Sequence, residues 1–126
     1  MEEQELEIIV TNVIIKLGTP LKLKGFHYLR SSILKTISDP ECVESITKWL
    51  YPDMAKKFKT TESKIERSIR NAVEIGWERG CVEFQQELFG YSRLDGNIRP
   101  TNSEYIAVIA DSIHISIIEN KKKWTC

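Results

Sequence analysis

Long apolar runs are missing from this sequence. No stretch approaches the roughly 18 to 20 residues that a bilayer-spanning helix requires, so a membrane is not expected among its partners. A basic and then apolar leader is missing as well. The chain opens on Glu2, Glu3, Glu5 and Glu7, which argues against secretion and for a cytoplasmic protein. Cysteine is scarce and scattered: Cys42, Cys81 and Cys126 form no Cys-x-x-Cys pair, which excludes a disulfide framework and a zinc cluster. With His27 and His114 as the only histidines, neither a metal site nor a cofactor is expected. Cys42 and Cys81 read as small buried residues with no base spaced to activate them, and His27 reads as a surface or packing residue. No catalytic residue, and hence no enzyme, is expected. Net charge is absent too, since 18 Lys and Arg balance 18 Asp and Glu. That weighs mildly against nucleic acid, although a balanced total can still hide a local basic patch.

What is present is helical patterning. At 126 residues the chain is long enough for a single core, and residues 1–126 read as one domain without repeat, linker or low-complexity segment. From Leu6, the residues Ile9, Val10, Val13, Ile14 and Leu17 recur at helical spacing until Gly18 and Pro20, behind an acidic first turn that suits the helix dipole. A second helix is predicted over Lys24–Ser38, with Phe26, Leu29, Ile33 and Ile37 inward. Asp39 is the N-cap and Pro40 the first residue of a third, running to about Leu50. Pro52–Phe58 makes a very short fourth helix. Thr61 caps a long fifth over Glu62–Arg79, closed by Gly80, and Val82–Phe89 makes another short one. Tyr91–Pro100 is a loop turning at Asp95-Gly96-Asn97. Thr101-x-x-Glu104 is a capping box for the last helix, with Ile106, Ile109, Ala110 and Ile113 as its stripe. Residues 115–118 either extend that helix or run irregularly, and Lys121-Lys122-Lys123 looks solvated. The fold class is all-α, one domain.

The stretch from Tyr51 to Gly80 holds the functional signal. Two helices separated by Lys59-Thr60-Thr61 have the spacing of a helix-turn-helix, in which the second helix enters a major groove. At roughly 100° per residue, Ile65, Ile69, Ala72, Val73 and Gly76 fall on one side of helix 62–79. Ser63, Glu66, Arg67, Arg70 and Glu74 fall on the other, flanked by Lys64 and Asn71. The hydrogen-bonding groups lie in the N-terminal half, where this motif reads base edges. Between Lys56 and Arg79, seven cations against four anions leave a local excess of three in a neutral chain. A solvated helix face with a Glu66–Arg70 pair at i, i+4 would look similar.

The run from Ser45 to Phe58, SITKWLYPDMAKKF, closely resembles the C-terminal effector domain of the stage-zero sporulation transcription factors, the master response regulators of spore-forming bacteria. So do SKIERSIRNA (63–72), LFGY (88–91), PTNSEYIA (100–107), and upstream LGTP (17–20) and KGFHYLR (24–30). The resemblance covers roughly residues 8 to 112. It implies a six-helix domain that binds tandem sites on double-stranded promoter DNA, with RNA polymerase and a second copy of the domain as further partners. It also implies that Lys64, Glu66, Arg67 and Arg70 lie on the recognition helix and meet bases or phosphates. Ser63 and Asn71 complete the DNA-binding set expected here. Where the family pattern has Ser-Arg-Val-Glu-Arg, this chain has Lys64 and Ile65, and lysine lacks the planar fork that grips guanine. Where the family often has histidine, this chain has Asn71.

The family's regulator carries a receiver domain ahead of this one; none is expected within residues 1–7, so the chain reads as either an excised effector domain or a stand-alone relative. The rival expectation is a stand-alone interaction module that modulates a full-length regulator without reading DNA. Trp49, Tyr51 and Trp77 sit at helical core spacing and are expected to pack rather than to stack bases. The resemblance implies that the final helix, Asn102 to about Ile113, helps tandem copies meet. Tyr105 and Ser112 are expected on its outer side, and the free chain is expected to be monomeric.

Overall fold

A computed structural model describes residues 2–119, which excludes the lysine run 121–123 and Cys126. Among the described residues there are six α-helices and no strand: α1 (Glu3–Lys16), α2 (Lys24–Ser38), α3 (Tyr51–Phe58), α4 (Glu62–Arg79), α5 (Val82–Phe89) and α6 (Asn102–Ile118). The central element is α2, which packs against α1, α4 and α6. Its Phe26, Leu29 and Ile33 meet Ile65, Ile69 and Ala72 of α4 and Ile106 and Ile109 of α6 in one fully buried cluster.

The helix boundaries follow local chemistry. After α1, Gly18 takes φ +101°, a conformation in which an L side chain would be strained. Thr61 accepts from the Lys64 N–H at 3.2 Å and Thr101 from the Glu104 N–H at 3.1 Å, so both expected N-caps form. The carboxylate of Glu104 accepts the Tyr91 hydroxyl at 3.0 Å, fastening the loop to the start of α6. At its far end α6 continues as regular helix through residues 115–118.

Residues 40–50 depart from expectation. They form no third α-helix but a 3₁₀ turn, Pro40–Val43, and a π-helical turn, Ile46–Leu50. Pro40 has no N–H to give, the 3₁₀ turn closes with Glu44 N–H to Glu41 C=O at 3.1 Å, and Ser45 at φ −140°, ψ 81° breaks the path. The Asp39 side chain caps nothing. In the wider π turn the N–H of Tyr51 reaches back to Ile46. Trp49 is thereby rotated out of the stripe to 55% exposure, while Leu50, Tyr51 and Trp77 are buried. Its expected packing role is overturned. Cys42 is buried and Cys81 is half-buried; both are free thiols. His27 accepts at Nδ1 from Arg30 Nη2 at 3.0 Å.

Tyr105 is the second correction. It is 1% exposed, with its ring 5.9 Å from that of Phe89, and Ser112 is half-buried. A phenol is mostly apolar surface, so at a position adjoining Ile106 and one turn from Ile109 it belongs to the core face.

Two outcomes are expected from these local features. Lys59 is the one non-glycine described residue with positive φ (54°), and Thr60 N–H closes on Ala55 C=O at 2.9 Å in a Schellman pattern that favours glycine. Lys59→Gly should therefore raise stability by about 0.5–1 kcal/mol, and Thr61→Ala should lower it by about 1 kcal/mol, both read from urea midpoints at constant m. Separately, burial and then the bond to Glu104 push the Tyr91 phenol up to about 12 from an ordinary value of 10.0. The folded state thus favours the protonated phenol, and the stability it confers is intact below the unfolded value and lost as pH rises through the folded one. The urea midpoint should fall between about pH 10 and 12, and less steeply in Tyr91→Phe.

Candidate nucleic-acid interface

Helices α3 and α4 are joined by three residues, Lys59, Thr60 and Thr61, and pack on one another. The inner side of α4 is sealed, with Ile65, Ile69, Ala72, Val73, Gly76 and Trp77 all buried. On its outer side Ser63, Lys64, Arg67, Arg70 and Asn71 are exposed and Glu66 is half-buried. Glu66 and Arg70 form an i, i+4 ion pair at 2.6 Å. Such a pair contributes only about 0.2–0.5 kcal/mol on a helix surface, so Arg70 can be drawn to a stronger anion at little cost.

Several neighbouring cations have no such partner. Lys48, Lys56, Lys59, Lys64 and Arg67 make no ion pair among the described residues, whereas Lys35 pairs with Asp53 and Arg99 with Glu78. Lys57 donates to Ser31 at 3.1 Å. The excess charge read from sequence is therefore accessible along α3, the turn and the first half of α4.

A groove runs along this face, lined by Thr47, Tyr51, Glu62, Ser63, Glu66, Arg67 and Arg70. It continues into a cleft that reaches Arg99, Asn102 and Ser103. Four of the six expected site residues, Ser63, Glu66, Arg67 and Arg70, line the groove; Lys64 and Asn71 lie beyond it.

Asn102 is a supporting residue that sequence reasoning took only for a helix start. Its amide donates to the Tyr51 hydroxyl at 2.9 Å and to the Glu66 carbonyl at 3.2 Å, joining α3, α4 and α6. Burial, the largest influence, raises the Tyr51 phenol above its ordinary value, so it is neutral at physiological pH. No local pattern announces this node, because its partners lie 51 and 36 residues away in the chain.

Among the described residues no cluster of three or more His, Cys, Asp or Glu side chains could hold a metal. Nor is any helix of the described residues long and apolar enough to cross a membrane. The outer face of α4 instead has the chemistry of a polyanion site: short polar donors, unpaired cations and one displaceable ion pair.

The family model described as sporulation initiation factor Spo0A C terminal matches residues 10–113. That span takes in α2 to α5 whole, the second half of α1 and most of α6. The chain therefore belongs to the sporulation initiation factor Spo0A C-terminal family, a family of DNA-binding effector domains of transcription regulators.

Proposed function

We propose that this domain is a sequence-specific regulator of sporulation-type genes that places α4 in the major groove of promoter DNA. The observation that carries the proposal is the two-sidedness of α4. Its inner stripe is fully occupied by the core, and its outer N-terminal half offers Ser63, Lys64, Glu66, Arg67, Arg70 and Asn71. A major groove about 12 Å wide admits one α-helix, and the exposed half is the half that reaches base edges in helix-turn-helix proteins. In this reading Arg67 and Arg70 meet bases or phosphates and Lys64 faces a base. Glu66 orients Arg70 in the free protein and accepts from a base once Arg70 moves. RNA polymerase and a second copy on a tandem site are the protein partners. Among its described residues, the contact surface left to α6 is its exposed outer side, including Ile115 and Ile118, since Tyr105 is committed to the core.

Arg67→Ala and Arg70→Ala should each weaken binding to a promoter duplex while changing stability by no more than about 0.5 kcal/mol, because both side chains are exposed. A residue that neutralises a phosphate should also lower the salt slope by about one when removed. Unchanged affinity in both variants would remove the recognition role from α4. Binding that ignores salt altogether would instead favour the interaction-module reading, in which the partner is another protein.

A second substitution addresses specificity. Lys64→Arg supplies the bidentate fork that lysine lacks. It should sharpen discrimination against single base-pair changes in the site by roughly 1–3 kcal/mol, measured by competition with altered duplexes. An unaltered base preference would exclude position 64 from base readout.

A further inference from the structure

The turn Ile46–Leu50 is surface that the α4 assignment leaves unused. Leu50 anchors one end in the core and Ile46 packs against the core at the other. Between them Thr47, Lys48 and Trp49 are consecutive and exposed. Thr47 lines both the groove along Ser63, Glu66, Arg67 and Arg70 and the cleft that adjoins it. Lys48 and Trp49 follow at Cα steps of about 3.8 Å each. Thr47 is thus the part of the turn that faces α4 across the groove, and Lys48 and Trp49 are the exposed residues next to it on the outer side of that wall.

Its chemistry is specific. Trp49 leaves more than half of its surface in solvent, which forfeits much of the burial an indole can gain. The Lys48 Nζ lies 5.3 Å from the Trp49 ring centroid, so a cation with no ion-pair partner among the described residues rides on an apolar plate. A nucleic-acid strand presents the complement, anionic phosphates alternating with apolar sugar edges. A helix seated in the major groove is flanked by such a strand, so a wall beside α4 meets backbone and not the groove floor.

We propose that Thr47, Lys48 and Trp49 form a second DNA-contacting element that rests on the phosphodiester strand beside the groove. Lys48 neutralises a phosphate, the Thr47 hydroxyl donates to a phosphate oxygen, and the Trp49 indole covers a deoxyribose edge. This element fixes register and adds affinity but carries no base choice. The inference rests on the placement of α4 in the major groove, and its test separates the two.

The test uses the full chain, a duplex carrying the family's promoter site and a scrambled duplex of equal length. Lys48→Ala should weaken binding to both duplexes by a similar factor and reduce the salt slope by about one. Trp49 is followed by acrylamide quenching of tryptophan emission, taken as the difference between the parent and Trp49→Phe, with helix content checked by circular dichroism. The Trp49 share should become protected when duplex is bound. Both changes are required. An unchanged slope, or a Trp49 as quenchable in the complex as in the free protein, overturns the inference; if Arg67→Ala still loses binding, the α4 assignment stands without it. Loss of the Arg67 dependence as well overturns both. Protection of Trp49 by a protein partner but not by duplex would make the turn a protein interface and likewise overturn the inference.

Discussion

The close approach of α2 to α4 is the constraint on which the rest of the structure depends. At Gly25 a Cβ would overlap the Ser68 carbonyl oxygen and crowd the Ala72 methyl, so the two helix backbones meet with nothing between them. One turn further along α4, the Thr19 hydroxyl donates to the Ala72 carbonyl at 3.1 Å and fixes the loop after α1 to the same helix. Burying Ile65 and Ile69 completely contributes about 1.5–3 kcal/mol each, against the few tenths of a kcal/mol of the exposed Glu66–Arg70 pair. The inner side therefore fixes α4, and the outer side is left almost free of any duty to stability. This separation lets polar side chains along Ser63–Asn71 be chosen for what they bind.

Charge follows the same division. The chain is neutral as a whole, yet its ion pairs are distributed unevenly among the described residues. Glu7, Asp53 and Glu78 sit near Arg30, Lys35 and Arg99, away from the start of α4, and only Arg70 is paired within the outer face itself. The unpaired cations among them include Lys22, Lys24 and Arg93 elsewhere, and also a contiguous set on the π turn, on α3, on the inter-helix turn and on α4. A surface of that kind attracts a polyanion by releasing its counterions, a contribution that does not depend on sequence. In the proposed reading, discrimination comes from the few groups placed at base edges, and there a lysine at position 64 is a point charge where arginine would be a directional fork.

Much of this was legible from residues alone, for identifiable reasons. The bounds of α2, α4 and α5 coincide with those read from sequence, with Thr61 and Gly80 acting locally at the two ends of α4, and α4's wheel separated buried from exposed positions correctly. The errors lie where local period and tertiary path disagree. Cys42, Ile46, Trp49 and Leu50 keep helical spacing, yet a break at Ser45 and one i→i+5 closure turn Trp49 outward. Tyr105 departs from its expected outer position because its ring packs against Phe89 in the core, a burial that its hydroxyl does not prevent. Asn102 was legible as a helix start but not as a link, since both of its partners are remote in the chain.

That link bears on how the groove is built. Asn102 satisfies two acceptors at once, the hydroxyl at the start of α3 and a carbonyl in the second turn of α4, from the first residue of α6. Each bond of this kind contributes about 0.5–1.5 kcal/mol, and both are partly buried. The π turn is continuous with α3, so Thr47 inherits the same fixed relation to Glu66 and Arg67 that Tyr51 has. Two walls locked in this way lose little conformational freedom when a ligand enters, and less of the binding energy is consumed in ordering them. A mobile turn carrying Lys48 and Trp49 would add charge to the face but no register. Held by Leu50 in the core and tied through Tyr51 to α6, the same residues stand at a set distance from α4, which is what a rigid duplex requires of any second contact.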